Sequence, residues 1–258
     1  MLPLLSSWLN GALLVNAPKD DRCYTQENRG VVRKSMAQQP STDDAKEIVG
    51  PVVAALVGIL LTGLLYLLLP TNVIIGPNWL LLVIEGVFVI PLLIDILTPW
   101  DLSHMARRLL VLVPLSLSTL ALAVGVALFV STLGTNTNAN NLLRAGALLW
   151  VFNILVFALW YWEIDGEGPW KRHLSGQQPG DFLFPQQAND FPQSAHGKHW
   201  MPHFLDYLFV AFTGATALSP TDTYPLTRAA KTLMMMEALI SLTVAGILVA
   251  RAVNILGK

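Results

Sequence analysis

Long apolar runs separated by brief polar breaks set the character of this chain. Four of them, residues 48–69, 79–97, 109–133 and 142–162, are close to the ~20 residues a helix needs to cross a hydrocarbon core. A fifth, 232–253, closes around Arg251. A sixth, 204–218, is shorter: as a helix it rises ~22 Å against a ~30 Å core. The pattern predicts an all-α fold, a polytopic transmembrane helix bundle of five or six membrane helices, the sixth either a full span or a re-entrant element.

Polar stretches divide the chain into four parts. Residues 1–47 are an N-terminal surface helix (1–17) followed by a charged tail, which is expected to be a mobile cytoplasmic linker. The 1–17 run lacks the basic flank and small-residue cleavage site of a signal peptide. Residues 48–162 carry the four-helix transmembrane part. Residues 163–201 form a loop, and 202–258 a helical hairpin.

Composition agrees with a bilayer as solvent. Hydrophobic residues make up 53% and charged residues 13%, where soluble domains run at about a quarter charged. The net charge of −1 gives no electrostatic case for nucleic acid as a partner. Cys23 is the single cysteine, so neither an intramolecular disulfide nor a cysteine metal cluster can form.

Basic residues set the orientation. Lys19, Arg22, Arg29, Arg33, Lys34 and Lys46 precede the first run, and the loop 70–78 holds none. Arg107 and Arg108 come next, then Arg144 alone, then Lys171, Arg172 and Lys198. An inside N-terminus puts most of them in the cytoplasm, and with them the loop 163–201.

Charges within the runs are costly and so mark candidate sites. Glu85 and Asp95 share the second run. At 100° per residue they lie about 80° apart, on neighbouring faces. A proton or cation relay is one reading. The other buries Glu85 against a hydroxyl or an arginine and lets Asp95 snorkel to the interface. Glu237 stands nine residues after Arg228 and six after Lys231. Neither shares its helix face, so its partner must come from another helix. Asn153 is placed to hydrogen-bond between helices. Trp160, Tyr161 and Trp162 form an interfacial aromatic belt, and Met234, Met235 and Met236 point around their helix as apolar filler.

The loop is not a metal site by pattern. His173, His196, His199 and His203, with Asp181 and Asp190, match no ligand spacing, and Pro202 breaks a helix that would align the last two histidines. Phe182, Phe184 and Phe191 are expected to fold over the mouth of the bundle. No nucleophile–histidine–acid set, phosphate loop or haem ligand pair stands on the runs, so neither enzyme action nor a cofactor is expected.

The last fifty-odd residues carry a resemblance. Residues 207–216 resemble the pore helix of bacterial potassium-type channels. Tyr224-Pro225-Leu226-Thr227 through Lys231, with Leu233, Glu237 and Ala238, resemble the start of the inner helix, and residues 249–253 its end. Between them Ala217-Leu218-Ser219-Pro220-Thr221-Asp222 stands where that family carries a TVGYGD filter, and only Asp222 matches. The longer pattern, DFLFPQ at 181–186 and then DYLF…ALSPTDTYPLTR…VNIL, resembles a group of uncharacterised bacterial ion-channel-like membrane proteins. The first resemblance covers about a fifth of the chain and the second roughly its second half. They imply a multi-pass protein of the bacterial plasma membrane, self-associated as a tetramer, with a pore-loop module and monovalent cations as its ions.

Two residue-level observations qualify that picture. A potassium filter stacks backbone carbonyls with the help of glycines, and residues 217–222 contain none; potassium selection by that geometry is excluded. A ring of Asp222 side chains could still attract cations, with Ser219, Pro220 and Thr221 shaping the turn. The plain reading of Ser219-Pro220-Thr221-Asp222 is a capped turn between two helices. In addition, potassium-type channels enter the pore loop from outside, whereas here the preceding run ends inside. Either 204–218 re-enters from the cytoplasm, inverted as in ionotropic glutamate receptors, or it spans fully; the hydropathy and loop-charge rules permit a full span at no special cost, and it is preferred on that ground.

The expected function is thus a channel-like protein without a potassium filter, conducting non-selectively or not at all. The alternatives are a structural or regulatory bundle that binds a partner through its tail and loop, and a small transporter, which would want an internal repeat that is not seen.

Overall fold

A computed structural model of the chain describes residues 42–98, 102–132, 139–169, 171–172, 180–187, 200–216 and 222–256. Chain contacts separate Met1–Ala45 from Lys46–Lys258. The second unit holds the bundle. The surface helix expected over 1–17 lies outside the described residues.

Six helices are described: α1 Thr42–Leu68, α2 Leu80–Leu97, α3 His104–Ser131, α4 Ala139–Ile164, α5 Phe204–Thr216 and α6 Arg228–Leu256. Residues 42–47 were expected in the linker and instead open α1. Ser103 caps α3 by accepting from the Ala106 amide at 3.3 Å.

Four stretches are long and apolar enough to cross a membrane: Leu80–Leu97, Met105–Ser131, Asn140–Glu167 and Arg228–Arg251. Val52–Leu68 of α1 and Phe204–Thr216 are shorter apolar helices. Of the five or six membrane helices expected from the runs, four are long and apolar enough to span among the described residues.

Helix α4 is the hub. Phe152, Val156, Phe157, Ala158 and Tyr161 on it are fully buried, and it packs on α3, α5 and α6, while α2 packs on α3. Asn153 of α4 meets Ser241 of α6, and Gly146 meets Leu248. Later residues of α6 thus face earlier residues of α4, so the two run antiparallel.

Where α4 ends, three later segments gather. A two-residue ladder pairs β1, Phe182–Leu183, with β2, Tyr224–Pro225, antiparallel: Phe182 opposes Pro225 and Leu183 opposes Tyr224. Asp181 accepts from the Thr227 hydroxyl at 2.5 Å, and its carbonyl accepts from the Leu226 amide at 2.8 Å. Near the start of α5, Tyr207 meets Asp165, the first residue after α4. Further along, Gly214 of α5 lies against Glu237 of α6. Helices α5 and α6 therefore begin at the same end of the bundle and run side by side. At the opposite end Arg144 donates to the Leu68 carbonyl at 3.2 Å, and the Val73 carbonyl lies against Gly125.

Candidate functional site

Both intramembrane-type glutamates are buried, on different seams of the bundle. Glu237 is fully buried between α4, α5 and α6. The Tyr161 hydroxyl donates to its Oε2. Asn153 donates from Nδ2 to the Glu237 carbonyl at 3.3 Å and to Ser241 Oγ at 3.0 Å. Gly214 leaves room for this approach: a Cβ there would stand 3.0 Å from Oε2. The partner of Glu237 comes from another helix, as the spacing demanded, and Asn153 bridges helices as expected. Glu237 Oε1 and Asn153 Oδ1 have no hydrogen-bond partner among the described residues.

Glu85 lies on the seam of α1, α2 and α3, fully buried. Hydroxyls from two neighbouring helices converge on its Oε1: Thr62 of α1 donates at 2.6 Å and Ser118 of α3 at 2.8 Å. Its companion oxygen Oε2 sits against Gly63, where a Cβ would collide with it and stand 2.7 Å from the Leu82 Cα. Of the two structural partners expected for Glu85, the hydroxyl is the one present.

Asp95 does not snorkel. Its side chain is 2% exposed. Arg107 donates from Nε to Oδ2 at 2.6 Å and from Nη2 to Oδ1 at 3.2 Å, and the Leu102 amide donates to Oδ1 at 3.0 Å. The connection from α2 to α3 is short enough to bring Arg107 over the carboxylate. Asp95 therefore belongs to a local ion pair rather than to a relay with Glu85, whose partners are different residues.

A third polar cluster was not anticipated. Asp165, in the 3-10 turn Asp165–Glu167, is buried and accepts from the amides of Asp181 at 2.5 Å and Phe182 at 3.2 Å and from the Tyr207 hydroxyl at 2.5 Å. The turn that presents it uses positive φ at Gly166, Glu167 and Gly168. Arg172 donates to the carbonyls of Trp162, at 2.8 Å, and Asp165. Its guanidinium stacks 4.6 Å from the centre of the Trp162 ring and 5.4 Å from that of Tyr207. Phe182 and Phe184 are buried against Tyr161 and Tyr207, so those two phenylalanines do fold over the bundle end. The sequence signal was an acid beside glycines directly after Trp160–Trp162, where Tyr161 and Trp162 are buried in the bundle rather than forming the interfacial belt expected of them.

Of the filter-like residues, Asp222 is exposed; Ser219, Pro220 and Thr221 lie outside the described residues, as do His173, His196, His199 and Phe191. No group of three or more His, Cys, Asp or Glu side chains comes together as metal ligands among the described residues.

Fold and clusters together define a mostly helical bundle in which four helices are apolar and long enough to cross a membrane and carboxyls sit buried on its seams. Beyond that class the comparisons add nothing: no family model, curated protein or solved structure matches the chain.

Proposed function

We propose that this chain is a channel-like integral membrane protein in which α5 is a re-entrant half-helix, entered from the cytoplasmic side and followed by α6 as the inner helix. The observation that carries the reading is the shared starting end of α5 and α6: Tyr207 reaches Asp165 where Thr227 reaches Asp181, on one cluster beside the end of α4. A helix of 13 residues rises only ~20 Å, short of a ~30 Å core. With α6 beginning at the same end, the chain returns rather than crosses.

Charge supports the orientation. Arg107, Arg108, Lys171, Arg172, Arg228 and Lys231 belong to the end where α4 finishes, against Arg144 and Arg251 toward the other. The positive-inside rule makes the first end cytoplasmic. Non-helical backbone at membrane depth survives where protein buries it or water lines it, which is the setting a conduction path would give residues 217–223. Without a glycine there, the path is cation-attracting through Asp222 and not potassium-selective. On α6, Met235, Leu239, Leu242 and Val249 face outward from the single chain, an apolar surface available to lipid and to further copies in a tetramer of the bacterial plasma membrane.

The test is side-specific labelling of single cysteines on a Cys23→Ser background, with an impermeant thiol reagent on intact cells. Cysteines at Tyr224 and Lys171 are expected to stay protected until the cytoplasmic face is opened, and one at Ile75 to label from outside. Labelling at 224 from outside, with 171 still protected, overturns the re-entrant reading. Cation flux from liposomes holding the purified protein then tests conduction. Its absence would leave a bundle whose tail and loop bind a partner.

A further inference from the structure

Glu85 and Glu237 differ in how their unsatisfied oxygens are surrounded. At Glu85 two hydroxyls share Oε1, and the Gly63 backbone closes over Oε2, which has no other donor. At the α4–α5–α6 seam two acceptors from different helices, Glu237 Oε1 and Asn153 Oδ1, are buried with no donor among the described residues. Turning the Asn153 amide does not relieve this: Nδ2 faces the Glu237 carbonyl, which can only accept. The groups that meet Glu237 are Tyr161 and Asn153 from α4 and Gly214 from α5, with Ser241 one turn on in α6, and none of them carries a positive charge. Arg228 and Lys231 are exposed at the start of α6. A desolvated carboxyl either takes up a proton or pairs with a positive charge, and two buried acceptors side by side on different helices favour the second.

We infer that this seam binds a dehydrated monovalent cation, Na⁺ or K⁺, anchored by Glu237 Oε1 and Asn153 Oδ1, with the oxygens of Ser241 and Tyr161 in the same cluster. One carboxylate among neutral oxygens matches a single positive charge. Calcium sites draw on six to eight oxygens, usually including several carboxylates, and magnesium keeps an octahedral shell rich in water. The site lies inside one chain, between α4, α5 and α6. It depends on the packing of α4, α5 and α6 and not on conduction, so it can fail while the channel reading stands, and the reverse.

The experiment is thermal unfolding of the full-length protein in detergent, titrated with NaCl or KCl at ionic strength held constant with N-methylglucamine chloride, whose cation is too large to be enclosed. Saturable stabilisation by the small cation is expected. Glu237→Gln, which keeps the Tyr161 bond and removes the charge, should abolish the response and, in N-methylglucamine, match or exceed the wild-type Tm. Asn153→Ala should shift the midpoint at least tenfold to higher concentration, and Ser241→Ala provides a second lining variant should that one not fold. Glu85→Gln should leave the response intact. A wild-type Tm that is the same in all three cations, including one that moves only with pH and so reports a proton, overturns the site. So does a Glu237→Gln protein that is equally destabilised in every salt.

Discussion

Tyr207 donates its hydroxyl to the carboxylate of Asp165 at 2.5 Å, joining the first turn of α5 to the turn that ends α4. The same carboxylate holds the amides of Asp181 and Phe182, so one buried side chain fixes where the α4–α5 linker lies and where α5 starts. Replacing Asp165 by Ala strands two amides and a hydroxyl together, and should cost roughly 3 kcal/mol or more, since each buried donor left unsatisfied costs about 1–3 kcal/mol. Tyr207→Phe removes one donor and leaves the carboxylate its two amides, for about 1 kcal/mol. Unfolding in detergent should rank the two in that order, and equal losses would argue against Asp165 as the hub.

Close approach at Gly63 makes a second prediction. A methyl there would meet Glu85 Oε2 and the Leu82 backbone, which has no freedom to swing aside. Gly63→Ala should therefore destabilise by about 1–3 kcal/mol, as overpacking does. Gly86, one residue beyond Glu85, has nothing within 4 Å of an added Cβ, and Gly86→Ala should be neutral or mildly stabilising. A Gly63→Ala protein as stable as Gly86→Ala would mean that the α1–α2 contact is looser than these distances make it.

The Asp95–Arg107 pair invites a double-mutant cycle. Arg107→Met leaves a buried carboxylate with the Leu102 amide as its described donor, at a cost of about 2 kcal/mol, moderated because the Arg107 side chain is 24% exposed. Adding Asp95→Leu should recover most of that loss, because the unpaired charge goes with it. Additive losses in chemical denaturation would show that the two residues are not coupled.

For conduction the prediction concerns Asp222, exposed just ahead of the β2 strand. If the reconstituted protein passes current, Asp222→Asn should lower its preference for cations over anions. A reversal potential unmoved in a salt gradient would sink the role given to that carboxylate.

How legible was this in the sequence? The helices were, because runs of apolar residues near the length of a span have few other uses. Glu237's need for a partner on another helix followed from helical spacing alone; for Glu85 the cost of burying a charge named a hydroxyl or an arginine as its partner without choosing between them. The snorkelling expected of Asp95 fails because nothing local reveals that the chain turns back to set Arg107 upon it twelve residues later. Asp165, Arg172 and Tyr207 are silent in the sequence for a related reason: their meeting is made by α5 beginning beside the end of α4, a tertiary fact without periodicity. The preference for α5 as a full crossing rested on hydropathy and loop charge, which carry no information on the end at which a helix starts; the shared start of α5 and α6 is a tertiary relationship.

The ladder between β1 and β2 has a mechanical consequence. With Asp181 clasping Leu226 and Thr227, residues 181–227 form a loop buckled shut at its base, and α5 hangs inside it. An axial pull on α6 is borne first by that buckle and passed through the Asp181 amide to the turn ending α4, so the end of α4 is where tension on α6 is grounded.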